Sequence, residues 1–210
     1  LRRASLSALR IVVEKQLTVD LRTCLDLAVA QYPENALAQG TAEQVLDYMI
    51  ERFRAWYEED RIPAEVFKAV SARPLDIHRR VQAVHAFAQL PEAQALAAAN
   101  RRVSNSLGKL ESAHRFGNVS ADLLVEPQEK ALFERMQALA TTSRQHLDRD
   151  EYGQALACLA GLRGPVDAFF DDVMVNVEDD ALRLNRLNLL KQLRDLFLDV
   201  ADISLLVVTK

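Results

Sequence analysis

The chain has 210 residues, of which 50% are hydrophobic and 27% are charged, so it can bury a substantial core without disulfides or a metal. Its formal net charge of −4 argues against a general nucleic-acid coat and allows only a locally basic surface. No stretch approaches the roughly 18 uninterrupted apolar residues of a membrane span, and no signal-peptide core follows the N-terminus, so we expect a cytoplasmic protein.

The two cysteines and the first residues add two expectations. Cys24 and Cys158 lie in apolar helical patterns and lack the Cys/His spacing of a zinc site, which predicts buried thiols in a reducing compartment. The chain begins without Met, and no capping residue precedes the helical pattern that starts at Leu1. We therefore expect a piece of a longer protein.

The first 89 residues are predicted to form a helical scaffold. Glycine and proline are scarce and apolar residues recur at spacings of three and four, which indicates an all-α fold, a helical bundle without a sheet. Helices are predicted at 2–15, after the cap Asp20, from a capping box of Thr41 with Gln44, around 66–70, and from the cap Asp76 toward Leu90. The aromatic stripe 53–57 is expected in the core rather than as a platform for bases.

Residues 90–210 continue the helical pattern. Helices are predicted from Pro91 to Leu110, from Pro127, from Tyr152 to Leu162 with Gly164 as the stop, and from Pro165. Residues 116–125 are predicted to form a loop, and the acids at 178–180 to cap a last long helix.

Two of these helices place basic residues beside an apolar stripe. The cationic and amide side chains of the 91–110 helix are Arg101, Arg102, Asn105 and Lys109, and those of the last helix are Arg183, Asn188, Lys191 and Arg194. We expect the two sets to converge in one water-facing trough that could bind a polyanion. A solvated face that balances acids elsewhere is the alternative.

Two further polar residues of these helices are expected to have structural roles. Arg186 lies near the apolar stripe, where a half-buried guanidinium usually pairs with a carboxylate such as Asp171 or Asp172. Asn100 also abuts an apolar stripe and is expected to satisfy a loop or a helix end rather than to contact RNA.

The segment 165–175, with Asp180-Ala181-Leu182-Arg183 and residues 185–187, resembles the DALR-type anticodon-binding domain that closes the β subunit of bacterial glycyl-tRNA synthetase. Residues 99–105 and 200–206 fit this domain, and residues 1–15 resemble the stretch that precedes it. The resemblance implies a DALR-type helical bundle at 90–210 that holds the anticodon arm of glycine tRNA, tRNA(Gly). It also implies that glycine activation, with ATP and magnesium, belongs to a separate catalytic α subunit, and that this region has no catalytic site or cofactor of its own.

Recognition of an anticodon loop needs cations for phosphates and planar hydrogen-bonding groups for splayed bases. With the resemblance, we expect the six cations of the two basic helices to contact phosphates. Asn105 and Asn188 are candidate base readers. We expect no DNA and no membrane as partners.

An enzyme and a protein–protein interaction module are two other classes of function. The four histidines (His78, His85, His114 and His146) are scattered, and no glycine-rich phosphate loop, Gly-x-Ser-x-Gly elbow or Cys-x-x-Cys motif occurs, so the sequence gives no support to an enzyme site. The alternative that remains is a helical protein–protein interaction module with no RNA role, in which apolar stripes bind a helix of another protein.

Overall fold

A computed structural model describes residues 2–33, 35–57, 73–108 and 116–206. Within these ranges the chain forms α-helices and short 3₁₀ turns and contains no strand, which confirms the predicted all-α class. The chain divides into two compact units, Leu1–Gln82 and Ala83–Lys210. The sequence predicts a scaffold at 1–89 and a second domain at 90–210. In the described ranges, no helix combines the length and apolar composition that a membrane crossing requires.

Unit 1 contains α1 (Arg2–Glu14), α2 (Leu21–Val29), α3 (Thr41–Trp56) and most of α4 (Pro74–Ala88). Helix α3 packs against both α1 and α2. Its apolar stripe is buried because Leu46, Met49 and Phe53 recur at helical spacing. The predicted cap Asp20 accepts a hydrogen bond from the Thr23 amide at 3.1 Å, which fixes the start of α2.

Unit 2 contains the later helices: α5 (Ala93–Gly108), α6 (Pro127–Leu147), α7 (Tyr152–Leu159), α8 (Arg163–Asp172) and α9 (Asp180–Leu198). Short 3₁₀ turns lie at Ala121–Leu123, Ala160–Leu162 and Ile203–Leu205. Helix α6 packs on α7, α8 and α9, while α5 packs on α8, α9 and the last 3₁₀ turn. The basic helices α5 and α9 are therefore direct neighbours.

Three predicted helix boundaries are wrong. Thr41 is not the cap of α3, because Gly40 takes that position with φ +80° and Thr41 Oγ1 donates to the Ala38 carbonyl. Asp76 lies inside the first turn of α4, where it pairs with Arg80 at 3.1 Å. Gly164 does not stop a helix but lies inside α8, where the chain continues directly from a 3₁₀ turn.

The prediction of buried thiols is also wrong in part. Cys24 is exposed and Cys158 is half-buried. Burial raises the pKa of the Cys158 thiol, while the nearby Arg135 acts in the opposite direction.

Some predictions fall outside the described residues. These are the short helix around 66–70 and the residues Lys109 and His114.

Candidate nucleic-acid interface

The outward face of α5 is the most exposed polar surface among the predicted site residues. Leu96, Val103 and Leu107 are fully buried, whereas Arg101, Arg102 and Asn105 are exposed on the other side of the helix. This division follows from the sequence, because apolar residues at spacings of three and four occupy one face of a helix. We call the exposed trio Arg101, Arg102 and Asn105 the α5 face.

Arg101 links α5 to the end of the described chain. Its Nε donates to the Ser204 carbonyl at 3.0 Å, and its Nη2 donates to the Leu206 carbonyl at 3.3 Å. Carbonyl groups satisfy some of the N–H donors but carry no net charge, so the positive charge of Arg101 is not neutralised by these contacts. The residue can hold the 203–206 segment and still attract an anion.

Arg102 is oriented by an aromatic ring. Its guanidinium carbon lies 4.1 Å from the centroid of the Phe170 ring on α8, and Phe170 in turn meets the buried Phe169 edge to face at 5.6 Å. A guanidinium on a ring keeps its N–H groups at the edge of the stack, where an acceptor can reach them. Among the described residues, no carboxylate forms a salt bridge with Arg101 or Arg102. The α5 face therefore presents two cations that no acid of the described ranges neutralises.

The basic edge of α9 differs from this face. Arg183 pairs with Asp180 one turn earlier, and its Nη1 donates to the Val177 carbonyl at 3.4 Å. Lys191 pairs with Asp195 one turn later. Because each cation has a carboxylate within one turn, the edge is less positive than its arginines and lysine suggest. In the Asp-Ala-Leu-Arg segment the first and last residues thus bind each other.

Arg194 does not change this picture. It is half-buried, and it already takes part in contacts inside the protein. Lys109, the last of the predicted phosphate contacts, lies outside the described residues. RNA contact by the α9 residues therefore stays a prediction with less geometric support than contact by the α5 face.

Asn188 lies inside the protein rather than on its surface. It is 6% exposed, and its Oδ1 accepts a hydrogen bond from the Gly117 amide at 3.1 Å while its Nδ2 donates to the Asn118 carbonyl at 3.5 Å. Reading a base with Asn188 would require these bonds to break, so the interface proposed below does not include it.

One turn earlier, Asn185 makes a similar contact with the same segment. Its Oδ1 accepts from the Ser120 amide at 2.8 Å and its Nδ2 donates to the Ser120 carbonyl at 3.0 Å. The two asparagines together hold the extended residues 116–120 against α9, which satisfies backbone groups that have no helix or sheet partner. In the sequence, this structural role was indicated only by the spacing of the two asparagines, which are three positions apart and lie beside an apolar stripe.

Arg186 has the structural role that the sequence predicts, but with another partner. Its Nε lies 2.6 Å from Oε1 of Glu129 on α6, and its Nη1 donates to the Met174 carbonyl at 2.7 Å. Neither Asp171 nor Asp172 is that partner, because both are exposed while Arg186 is buried. Sequence spacing could not reveal a carboxylate 57 positions away. Asn100 is also structural, since its Nδ2 donates to the Leu96 carbonyl inside α5.

The histidines do not form a site in the described parts of the chain. His78 Nδ1 hydrogen-bonds the Tyr57 hydroxyl, and burial followed by the charge of Arg79 lowers the pKa of His78. His146 lies 2.7 Å from the carboxylate of Glu151. Within the described ranges, no cluster of three or more His, Cys, Asp or Glu side chains could hold a metal ion.

Unit 2 is thus a helical bundle that exposes Arg101 and Arg102 side by side on α5, and its sequence matches a known family. The chain belongs to the family described as the DALR anticodon binding domain, whose model matches residues 96–203. A second model, described as glycyl-tRNA synthetase beta subunit, matches residues 1–72.

Individual relatives have the same description. The chain is 52% identical over 98% of its length to the glycine–tRNA ligase beta subunit of Pseudomonas aeruginosa, of which it covers 31%. It is 50% identical over 97% of its length to that of Chromohalobacter salexigens and 48% identical over 98% of its length to that of Haemophilus influenzae, covering 30% of each. The chain therefore spans about a third of the length of the curated relatives it matches.

Proposed function

We propose that unit 2 binds the anticodon arm of tRNA(Gly) and that the α5 face is its primary contact. The family match over residues 96–203 supports the class of ligand, and the two exposed arginines, which have no salt bridge to an acid in the described part of the chain, support the location. A binding surface for RNA needs cations that an incoming phosphate can reach without first displacing an internal carboxylate. Arg101 and Arg102 meet that condition.

The roles on the α5 face follow from the chemistry of each side chain. Arg102, stacked on Phe170, presents a planar donor edge to a phosphate or to a base. Arg101 adds a second positive charge beside it. Asn105 lies one turn after Arg101, is exposed, and carries both a donor and an acceptor, which suits recognition of a base edge.

The proposal extends to the assembly in which the chain would act. As a region of a glycyl-tRNA synthetase β subunit, it would position tRNA(Gly) in the cytoplasm for a separate catalytic α subunit. Glycine activation with ATP and magnesium would occur on that subunit, and this region would need no cofactor. The identity to beta subunits over nearly the whole chain supports this assembly.

The test is a binding assay with tRNA(Gly) and with a copy whose anticodon is changed, each at two salt concentrations. We expect selective binding, and we expect Arg102→Ala to weaken it and to reduce the slope of log affinity against log salt by about one. Arg149→Ala is the matched control, because Arg149 is also an exposed arginine of unit 2 but lies in the turn after α6. Circular dichroism must show that both variants are folded.

Three results are distinguishable. Equal loss in both variants would mean a diffuse electrostatic contact and would remove the α5 face as the specific site. Binding without a preference for the anticodon would contradict anticodon recognition. No binding of either RNA would contradict the proposed function and would favour the helical protein–protein module.

A further inference from the structure

A small basic pocket lies between α1 and α3, inside unit 1. It has a volume of about 150 Å³ and is lined by Arg2, Leu6, Arg10, Arg52, Ala55 and Trp56. Half of these six residues are arginines and none of them is acidic. The pocket belongs to the 1–72 segment and therefore lies outside the DALR family match.

Aromatic rings, rather than acids, contact two of the arginines. The guanidinium of Arg10 lies 5.4 Å from the centroid of the Trp56 ring, and that of Arg52 lies 5.3 Å from the centroid of the Tyr48 ring. Among the described residues, no carboxylate forms a salt bridge with Arg2, Arg10 or Arg52. Cation–π contacts orient a guanidinium but leave its net charge unbalanced.

Arg52 also has a buried donor, because its Nε is shielded from solvent and has no hydrogen-bond acceptor among the residues that the structure describes. A buried donor on a charged group is costly when it has no acceptor, and like charges that line one pocket repel each other. An anion bound in the pocket would reduce the repulsion, because it would offset the charges of the arginines that line the pocket and accept hydrogen bonds from their guanidinium groups.

The aromatic wall of the pocket is held in place from behind. Trp56 is only half-buried, but it meets the fully buried Phe53 edge to face at 5.6 Å and stacks on the buried Tyr57 at 5.6 Å. The sequence-based expectation that these three aromatic residues are all core is thus right for Phe53 and Tyr57 and incomplete for Trp56. The rigid wall fixes where the arginines that contact it can point.

The size of the pocket restricts its occupant. Sites for whole small molecules measure roughly 300 to 1,000 Å³. A volume of about 150 Å³ suits one group of a larger ligand that lies across the surface. The guanidinium fork matches the oxygens of a phosphate. Three arginines in a lining whose described residues include no acid favour an anion with several oxygens, so that more than one guanidinium can bind it.

We propose that this pocket binds a backbone phosphate of RNA and forms a second RNA contact of the chain, separate from the α5 face. That the pocket binds an oxyanion follows from its own residues. That the oxyanion belongs to RNA rests on the proposed function. The experiment must therefore separate a failure of the pocket from a failure of RNA binding as a whole.

Trp56 provides a direct reporter, because it is the only tryptophan of the chain. The full chain is titrated with tRNA(Gly) while Trp56 emission is recorded, with a free tryptophan derivative to correct for absorption by RNA. Total binding is measured in parallel on filters. We expect a saturable change in Trp56 emission, and inorganic phosphate at high concentration should reduce the change by competition.

Substitutions identify the groups involved. Arg52→Gln and Arg10→Gln should each weaken the binding seen through Trp56 by about tenfold, which corresponds to roughly 1.4 kcal/mol. Arg3→Gln is the matched control, because Arg3 is an exposed arginine of α1 that does not line the pocket, and it should leave the titration unchanged. Thermal melting must show that the three variants remain folded.

The possible results separate the two proposals. If filters show RNA binding but Trp56 emission and both pocket variants are unchanged, the pocket proposal is overturned and the proposed function stands. If polyglutamate changes Trp56 emission and RNA does not, the pocket serves an acidic protein segment and the RNA assignment is overturned. Loss of all RNA binding in the unmodified chain would contradict the proposed function and this second contact together.

Discussion

The buried ion pair between Arg186 and Glu129 gives the sharpest stability prediction. The Glu129 side chain is 0% exposed and that of Arg186 is 6% exposed, with Nε and Oε1 2.6 Å apart. The other carboxylate oxygen accepts from the amides of Val125 at 2.9 Å and Glu126 at 2.7 Å, so one carboxylate connects the start of α6 to α9. The proposed perturbation is Arg186→Met, which keeps an unbranched apolar stem and removes the charge.

The expected loss in the free energy of unfolding depends on the groups that remain buried after the substitution. Glu129 would remain buried without its cation, and removal of one partner from a buried pair costs about 3 to 5 kcal/mol. The two backbone amides still stabilise the Glu129 carboxylate, so we expect about 3 kcal/mol, the lower end of that range. The carbonyl of Met174 also loses its donor, which adds to the cost.

The assay is urea unfolding followed by far-UV circular dichroism, with Arg144→Met as the control. Arg144 pairs with Asp199 at 3.3 Å, but its side chain is 64% exposed, so its loss should cost less than about 1 kcal/mol. The double variant Glu129→Gln with Arg186→Met removes both charges and should be less destabilised than the sum of the single variants. If Arg186→Met costs no more than Arg144→Met, the inference that this pair stabilises the bundle is refuted.

Three further predictions test other contacts. Asn185→Ala should lower the free energy of unfolding by about 1 to 3 kcal/mol, because the amide and the carbonyl of Ser120 both lose their hydrogen-bond partner. The amide of Ser120 should then exchange its hydrogen faster, and an unchanged exchange rate would contradict this role. Asp179→Ala should cost about 1 kcal/mol by removing the cap that accepts from the first amides of α9, and an unchanged urea midpoint would refute that role. In the folded chain the pKa of His78 is lowered below its ordinary value of 6.5. As the pH falls, His78 therefore binds its proton in the unfolded chain at a higher pH than in the folded chain, so the free energy of unfolding should decrease as the pH falls below 6.5. The difference in melting temperature between the original chain and His78→Gln, followed against pH, should show this loss, and a pH-independent difference would contradict the assignment.

The sequence was informative about the site only where the chemistry was local. The exposed position of Arg101, Arg102 and Asn105 follows from helical spacing alone and is confirmed. The same spacing could not show that Asn188, unlike these residues, is buried. A helical wheel places Asn188 at the border of the apolar stripe but does not show which segment packs over it. In the fold, the segment 116–120 packs over Asn188, and its backbone forms hydrogen bonds with both the oxygen and the nitrogen of the Asn188 side-chain amide.

The basic pocket of unit 1 was missed for a related reason. Its arginines come from two helices separated by α2, and no spacing within either helix indicates that Arg10 and Arg52 line one cavity. The sequence signal was the set of arginines at the start of the chain, Arg2, Arg3 and Arg10, which by itself is equally typical of a solvated surface.

The sequence by itself determined the all-α class, the amphipathic faces of the helices and the cap Asp20, and it placed the cap of α9 among the acids 178–180, because helix periodicity and capping depend on residues within a few positions of each other. Pairs within one helix turn, such as Arg183 with Asp180 and Lys191 with Asp195, follow from sequence spacing, whereas only the tertiary structure decided which charges pair between helices. Glu129 meets Arg186 across two helices, whereas Arg101 and Arg102 meet carbonyls and a ring, and such pairings depend on which helices pack together. An anion can bind only to the cations that are not already paired with acids inside the protein. The number of basic residues in the sequence is therefore not enough to locate a binding surface.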